Sequence, residues 1–403
     1  MKALANRAVE VLWVDQNNYH LFQPLLYQVA TGSLDPETIA VPLRFCARHW
    51  PNVRVVLAQI TEIDLAHRSL KIGPDAVTYD YLILATGSTT NFFGNSELAL
   101  NAHDMKGLTM SLQLRAAVLR TIEHAANLVH NSQAHPLEYA VVGGGPTGVE
   151  VAAALAYLLH KQLRDDYPEL DLAKARIHLL QAGHTILPAL PPKVQAYARR
   201  TLESLGVTIH LGSRVQHFEE NTLMLENGES LAAHLLIWTA GIHTTPLIAT
   251  LAVATGPGGR IEVTQNLQIP DHLEVYALGD LSYRAGIAWP QNAPFAHQSG
   301  VFAAHAILRA LDGHEPRAPF HYRDLGSMVA LRPFDAVVYL PWLGGLTISG
   351  VSAWFIWLLF HIGALVGFRN RGAALLDWGI DLVGRHPAAH LIVSGDRPKT
   401  PKT

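Results

Sequence analysis

Gly143, Gly145 and Gly148 stand in the spacing Gly-x-Gly-x-x-Gly. At the first place a glycine allows a tight turn. At the second it lets an anionic group approach the backbone, and at the third it lets a helix pack on a strand. The apolar run 139–142 ahead of them reads as a strand, and the Ala- and Leu-rich 147–161 behind them reads as a helix. In that setting the spacing suits the pyrophosphate of a dinucleotide, seated where free N–H groups and the helix dipole favour negative charge. A glycine turn without a ligand is the plainer reading.

The next strand, 176–180, runs into Gln181, where a dinucleotide unit commonly carries an acid for the ribose 2′-hydroxyl. A carboxylate there repels a 2′-phosphate and an amide does not. The loop is therefore read as an NADH site that leaves NADPH open, with Gly143, Gly145, Gly148 and Gln181 as its contacts. Glu150 falls in the first turn of the following helix. An acid there is favoured by the dipole alone.

A second set of strand ends carries similar chemistry. Asp15 closes the apolar run 9–14, Thr86-Gly87 follows 81–85, and Gly279-Asp280 follows 275–278. Carboxylates and tight turns at the carboxyl edge of a parallel sheet are where ligands of such folds bind. Singly, each is an ordinary turn. The residues before 9 hold no glycine loop, and 3–8 reads as the end of a helix. A dinucleotide domain without its first strand should show a slot in the sheet with two unpaired edges.

Composition narrows the rest. The chain has 403 residues and a formal net charge of −3, which argues against nucleic acid as a partner. Cys46 is the one cysteine, so no dithiol, disulfide or four-cysteine metal chemistry is available. The 22 histidines are scattered without ligand spacing, so no metal site is expected. No Asp, Glu, Lys or Arg occurs from Ala336 to Phe368, and 351–368 is apolar on nearly all faces. Three readings stand: a helix spanning a bilayer, a monotopic helix lying at the interface, and a buried core or dimer helix. In the monotopic reading Trp354, Trp357 and Trp378 sit at headgroup level, and Arg369 and Arg371 near anionic lipid. The first residues carry no secretory pattern, which points to the cytoplasmic side.

Several of these segments together resemble one family, the type II NADH dehydrogenases. Asn18-Tyr19-His20-Leu21-Phe22-Gln23-Pro24-Leu25-Leu26-Tyr27-Gln28-Val29-Ala30-Thr31-Gly32 is similar to that family's segment beside the flavin. Residues 143–152 resemble its NADH loop, 277–280 its second FAD contact, and 354–378, with Gly367-Phe368-Arg369-Asn370-Arg371, its membrane-binding tail. The resemblance implies an α/β chain of two nested Rossmann-like dinucleotide-binding domains, for FAD and NAD(P)H, plus a C-terminal membrane-associating helical segment. The division is 1–135 and 235–335 for FAD, 136–234 for NAD(P)H, and 336–403 for the membrane segment and tail. FAD would meet Asp15, Thr86, Gly87, Gly279 and Asp280, with Ile60 near the adenine. NADH would dock on 143–148 with Gly241 nearby. Hydride would pass to FAD and electrons on to a membrane quinone without proton pumping, with Glu150 and Gln298 beside the reaction. Membrane lipid is the implied partner on the cytoplasmic side of the cell membrane, and a homodimer is left open.

Three departures stand out. The FAD glycine loop is absent. The family's Ala-Gln-x-x-x-Gln segment is Ala293-Pro294-Phe295-Ala296-His297-Gln298 here, keeping the second Gln, and a Lys common in its Asp-Lys-Gly segment is Leu325. Gln298 is read as a quinone or flavin-edge contact, or more plainly as a helix-start amide. A flavoprotein reductase with another acceptor, and a membrane-associated nucleotide-binding protein without flavin, are the competing readings.

Overall fold

The computed structural model describes residues 1–129, 137–314, 318–382 and 391–392. The chain forms two compact units: 1–20, 41–89 and 242–325 make one, and 21–40, 90–241 and 326–403 the other. These cuts differ from the division 1–135, 136–234, 235–335 and 336–403. The reason is local packing. The helices Leu26–Ala30 and Leu108–Val129 pack on each other, and Leu26–Ala30 also packs on the helix behind the glycine loop.

The centre of the second unit is a four-stranded parallel sheet. Glu138–Val142 lies between Arg176–Gln181 and Leu235–Trp238, and Val207–Leu211 lies outside Arg176–Gln181. Its residues read as unbroken apolar runs because both faces are covered; Tyr139, Val141, Leu179, Leu180, Leu236 and Ile237 are all buried. The strand order reverses at Glu138–Val142, so the crevice at its carboxyl end is the place where such sheets bind ligands. The helix Pro146–Tyr157 starts there, with Gly145 as its cap and Pro146 pre-setting its first turn. The sequence suggests a helix as far as 161. Instead the last turn widens to a π turn, Leu158–Gln162, whose His160 ring nitrogens sit 3.0 Å from the carbonyl oxygens of Leu205 and Ala175. The sequence also suggests a long helix with an apolar stripe from Asp104 to about Asn131; it begins at Leu108 and runs to Val129, and 130 and 131 lie outside the described residues.

The C-terminal part of this unit is not one apolar tract. An antiparallel sheet, Ser327–Arg332, Asp335–Leu340 and Leu346–Gly350, precedes two helices, Val351–Ala364 and Phe368–Leu382. Leu365 is extended and Gly367 has φ +88°, which breaks the run 351–368. The first helix has 14 residues, roughly 21 Å at 1.5 Å each, against ~30 Å of bilayer hydrocarbon. Among the described residues no helix is long and apolar enough to cross a membrane, so the spanning reading is set aside.

In the first unit parallel pairing occurs in three small sheets, two of which carry the strand ends read from the sequence. Val11–Asp15 pairs with Val53–Leu57, and Leu82–Leu84 pairs with His272–Ala277. Among the described residues Val11–Asp15 and Leu82–Leu84 each have a strand on one side. Residues 3–8 form turns rather than the end of a helix. Asn6 is left-handed at φ +58°, and the Asn52 side-chain amide donates to the carbonyls of Leu4 and Val9, both at 2.9 Å. The helix Ala293–Leu311 packs on the turn Gly279–Leu281, and Phe295, Trp289 and Phe320 meet edge to face or tilted in the core beside it.

Candidate functional site

The glycine loop lies at the switch point of the parallel sheet. Gly143 has φ +115°, and a Cβ there would come within 2.7 Å of Thr239 Oγ1. At Gly148 a Cβ would lie 1.8 Å from the Gly143 carbonyl oxygen, so the helix sits on the strand at a distance only glycine permits. Thr239 pins this junction, its hydroxyl donating to the Val142 carbonyl at 2.8 Å. Gly145 is different: nothing lies within 4 Å of where its Cβ would be. The second glycine therefore presents bare backbone to open space at a helix N-terminus, the arrangement a pyrophosphate requires.

Gln181 ends its strand beside this loop, as its place in the sequence suggests. Its side chain is already engaged: Oε1 accepts from the Gly144 N–H at 2.9 Å. The residue shapes the loop as well as bordering the ribose position. Gly241 is left-handed at φ +76°, and a Cβ there would come within 2.7 Å of Phe93 Cζ; its carbonyl accepts from the Asn91 N–H at 3.2 Å.

Glu150 sits on the same helix and opens into a cavity of about 70 Å³. The walls combine Tyr27 and Gln28, Ala154 and Tyr157, 330–333, the three tryptophans 354, 357 and 378, and Asp381. Burial raises the Glu150 carboxyl pKa to about 8, offset in part by the hydrogen bond from the Ala330 N–H at 3.2 Å. Tyr27 is held well above the usual phenol range, by burial first and then by the Glu150 charge, so it remains a neutral donor. The Gln28 amide donates to Tyr27 Oη at 2.9 Å, and its oxygen accepts from Trp378 Nε1 at 2.7 Å.

The C-terminal helices supply most of the other wall. Trp354, Trp357 and Trp378 are 8%, 2% and 7% exposed, so they are core residues and not headgroup anchors. Trp357 stacks on His361 at 4.3 Å between ring centroids, and burial lowers the His361 pKa to about 4. Arg371, which stays exposed, has a second task. It donates to the carbonyls of Leu365 and Gly363, both at 3.0 Å, and so closes the first helix at its negative end. The surface left outward is largely apolar, with Arg369 and Arg371 beside it: Phe368 is 91% exposed, Leu359 68% and Leu376 64%.

Asp377 and Asp381, both buried, escaped the sequence reading. Thr38 Oγ1 donates to Asp377 at 2.9 Å, and Gln162 Nε2 donates to Asp381. Two acids four residues apart in the otherwise apolar stretch 372–382 were the available signal.

In the first unit Asp15, Thr86, Gly87, Gly279 and Asp280 occupy strand ends and the turns after them. Asp15 accepts from the Asn17 N–H at 2.8 Å. Gly87 is left-handed at φ +67°, with nothing within 4 Å of a Cβ. Ser88 Oγ donates to Asp280, and the Gly279 N–H donates to Ser299 Oγ at 3.2 Å. Half-buried carboxylates beside an open glycine turn, at the carboxyl ends of parallel strands, fit a dinucleotide cofactor. Ile60 begins a neighbouring strand. Gln298 is committed elsewhere: its amide donates to the Arg323 carbonyl and accepts from the Arg323 N–H, both at 2.9 Å.

A sequence model of the pyridine nucleotide-disulphide oxidoreductase family matches residues 1–300. Cys46 alone supplies no dithiol, so the match carries the fold and not disulfide chemistry. The type II NADH:quinone oxidoreductase Ndh of Mycobacterium tuberculosis is 35% identical over 394 residues, 94% of this chain and 84% of the relative. A type II NADH:quinone oxidoreductase of Haemophilus influenzae is 26% identical, covering 94% of this chain and 92% of the relative. The structure of NDH2 from Plasmodium falciparum in complex with NADH superposes with a TM-score of 0.82 at 17% identity, over 96% of this chain and 95% of that one. With residues 1–300 matched and a relative 35% identical over nearly the whole chain, the protein belongs to the type II NADH:quinone oxidoreductases of the pyridine nucleotide-disulphide oxidoreductase family.

Proposed function

We infer that this chain oxidises NADH and reduces a quinone drawn from a membrane, using FAD. One observation carries the reading. A single helix, Pro146–Tyr157, bears the dinucleotide loop at its N-terminus and, two residues past Gly148, an acid whose pKa is raised to about 8 and which opens into a cavity walled by the C-terminal helices. The nucleotide end and the apolar end of the reaction thus meet on one element.

Bound FAD supplies the chemistry of accepting hydride and passing on two electrons. The chain does the rest. Gly143, Gly145 and Gly148 hold the NADH pyrophosphate, and Gly241 and Gln181 border the nucleotide. Asp15, Thr86, Gly87, Gly279 and Asp280 hold FAD, with Ile60 at the adenine. Glu150 is the proton donor on the quinone side, since a carboxyl with a pKa near 8 is protonated at neutral pH. Gln298, held by its two bonds to Arg323, is the first-unit residue assigned to the quinone or flavin edge.

The membrane side rests on an inverted helix. Phe368–Leu382 buries Asn370, Asp377 and Asp381 and exposes Phe368, Leu375, Leu376 and Ile380, with Arg369 and Arg371 also outward in its first turn. A helix with its polar stripe inside and its apolar stripe outside suits the boundary of a bilayer, with peripheral association on the cytoplasmic side. The test is to purify the protein with its flavin, measure NADH oxidation with and without a short-chain quinone, and spin it with phospholipid vesicles. Quinone-dependent turnover and sedimentation with vesicles are expected. A colourless protein, or NADH oxidation indifferent to quinone, overturns the reading.

A further inference from the structure

The parallel sheet of the second unit fixes the sense in which a dinucleotide lies across it. Its strands run in the order Val207–Leu211, Arg176–Gln181, Glu138–Val142, Leu235–Trp238. The adenosine ribose belongs at the end of Arg176–Gln181, beside Gln181, and the pyrophosphate at the bare backbone of Gly145, past the end of Glu138–Val142. A ligand crossing the switch point in that sense carries its other half over the end of the strand on the far side, Leu235–Trp238.

Residues 239–241 follow that strand and lie hard against the glycine loop. A Cβ on Gly143 would come within 2.7 Å of Thr239 Oγ1 and 2.9 Å of the Ala240 nitrogen. A second segment, Asn91-Phe92-Phe93-Gly94, is fastened to them. The Asn91 N–H donates to the Gly241 carbonyl at 3.2 Å, and Trp238 Nε1 donates to the carbonyls of Asn91 at 3.0 Å and Ala240 at 2.7 Å. Asn91 Oδ1 in turn accepts from the Phe93 N–H at 2.7 Å. These bonds set the Phe93 ring against Gly241 and beside the buried Trp238, at 6.4 Å between ring centroids.

Packing alone does not account for Phe93. Its neighbour Phe92 is half-buried on the same Trp238, at 5.5 Å between centroids, whereas Phe93 is 63% exposed. Its backbone is left-handed at φ +52°, a conformation that costs a phenylalanine free energy and a glycine little. A glycine at 93 would make the turn with less strain, as Gly94 does at φ +78°. A lone surface phenylalanine needs no explanation. A strained one, hydrogen-bonded into place at the end of a parallel strand beside a nucleotide loop, does. Residues 91–94 and 238–241 carry no charge, and Gly241 is exposed without a side chain. An uncharged aromatic ring beside bare backbone suits a flat heterocycle, which can stack on it or meet its edge.

We propose, on the NADH reading given above, that Phe93 is a substrate-contact residue, the aromatic wall for the nicotinamide half of NADH. Gly241 serves it twice. The missing side chain admits the Phe93 ring, and it keeps the strand end open to the nucleotide.

The test uses the flavin-loaded full chain and two probes: NADH, followed by anaerobic stopped-flow reduction of the flavin, and ADP-ribose, which carries the adenosine and pyrophosphate but no nicotinamide, followed by calorimetric titration. In Phe93→Ala the apparent dissociation constant for NADH should rise about tenfold. That for ADP-ribose should stay at the native value. Phe93→Tyr keeps an aromatic face and should recover most of the loss. Should Phe93→Ala lose its flavin, Phe93→Gly takes its place: it relieves the left-handed strain, should melt within a few degrees of the native protein, and should show the same selective loss. Unchanged NADH affinity in these variants overturns the proposal. So does an equal loss for NADH and ADP-ribose, which would make Phe93 a prop of the strand end. Failure of the native protein to reduce its flavin with NADH overturns instead the reading on which the proposal rests.

Discussion

The Ala330 N–H donates to Glu150 Oε1 at 3.2 Å, so a strand of the C-terminal sheet reaches the acid on the nucleotide-loop helix. That bond favours the ionised form, and burial disfavours it more strongly, leaving the pKa at about 8. The group is therefore protonated when quinone needs a proton and ionises within the range of ordinary assays. Quinone-dependent kcat should be level at neutral pH and decline as pH rises through about 8. Glu150→Gln should lower it by roughly 10- to 100-fold and remove that decline. If Glu150→Gln leaves NADH affinity and turnover intact, the acid is a first-turn residue favoured by the dipole and nothing more.

The same shift links stability to pH. A carboxyl whose folded pKa lies above its unfolded value favours the folded state most below the unfolded pKa. That contribution is lost as pH rises from about 4.5 toward and past 8. The loss should be ~2–4 kcal/mol, less than the full shift because water in the cavity solvates the carboxylate. Melting temperatures of the native protein should fall between pH 6 and pH 9 by more than those of Glu150→Gln. Equal slopes would show that the carboxylate is well solvated after all.

The glycines separate fold from ligand. Gly148→Ala places a methyl 1.8 Å from the Gly143 carbonyl oxygen, so backbone has to move and both stability and NADH affinity should drop. Gly145→Ala meets nothing within 4 Å, so its melting temperature should match the native protein. It should still lose about tenfold or more in NADH affinity, because the methyl stands where the pyrophosphate approaches. Thermal melts and nucleotide titrations of the two variants side by side check the contrast.

On the proposed reading, Gln181 should set the choice between nucleotides. Glu is close to isosteric and keeps an oxygen for the Gly144 N–H, so Gln181→Glu should preserve the loop. The added charge should lower kcat/KM for NADPH by about tenfold, ~1.4 kcal/mol, and leave that for NADH nearly unchanged. If the native enzyme already rejects NADPH strongly, another part of the ribose site decides.

These cases show what the sequence makes legible. The glycine loop, the strands around it and Asp15, Gly87 and Asp280 could be read because their demands are local: a φ, a close approach, a charge at a strand end. The cavity could not. Gln28 and Trp378, bonded to each other, are 350 residues apart. The monotopic reading sets the tryptophans at headgroups, yet Trp354, Trp357 and His361 follow i, i+3, i+7, the period of a helix face turned inward. Likewise Asn370, Asp377 and Asp381 fall near one stripe of the last helix, whose polarity inside and apolarity outside reverse the soluble pattern. The break at 365–367 depends on a left-handed Gly367 that hydropathy does not register.

That reversal makes the last prediction. Leu359 and Phe368 are exposed and pack on little, so Leu359→Gln with Phe368→Gln should leave the melting temperature nearly unchanged. Each side chain buried in lipid contributes ~1.5–3 kcal/mol, so the double variant should lose at least about a hundredfold in vesicle partitioning. Trp357→Ala should do the opposite, because it empties a core position stacked on His361: melting falls by several degrees or more while the outward face keeps its lipid contacts. Sedimentation with vesicles and thermal melts distinguish the two. If the glutamine pair binds vesicles as well as the native chain, the outward apolar stripe is covered by something other than lipid.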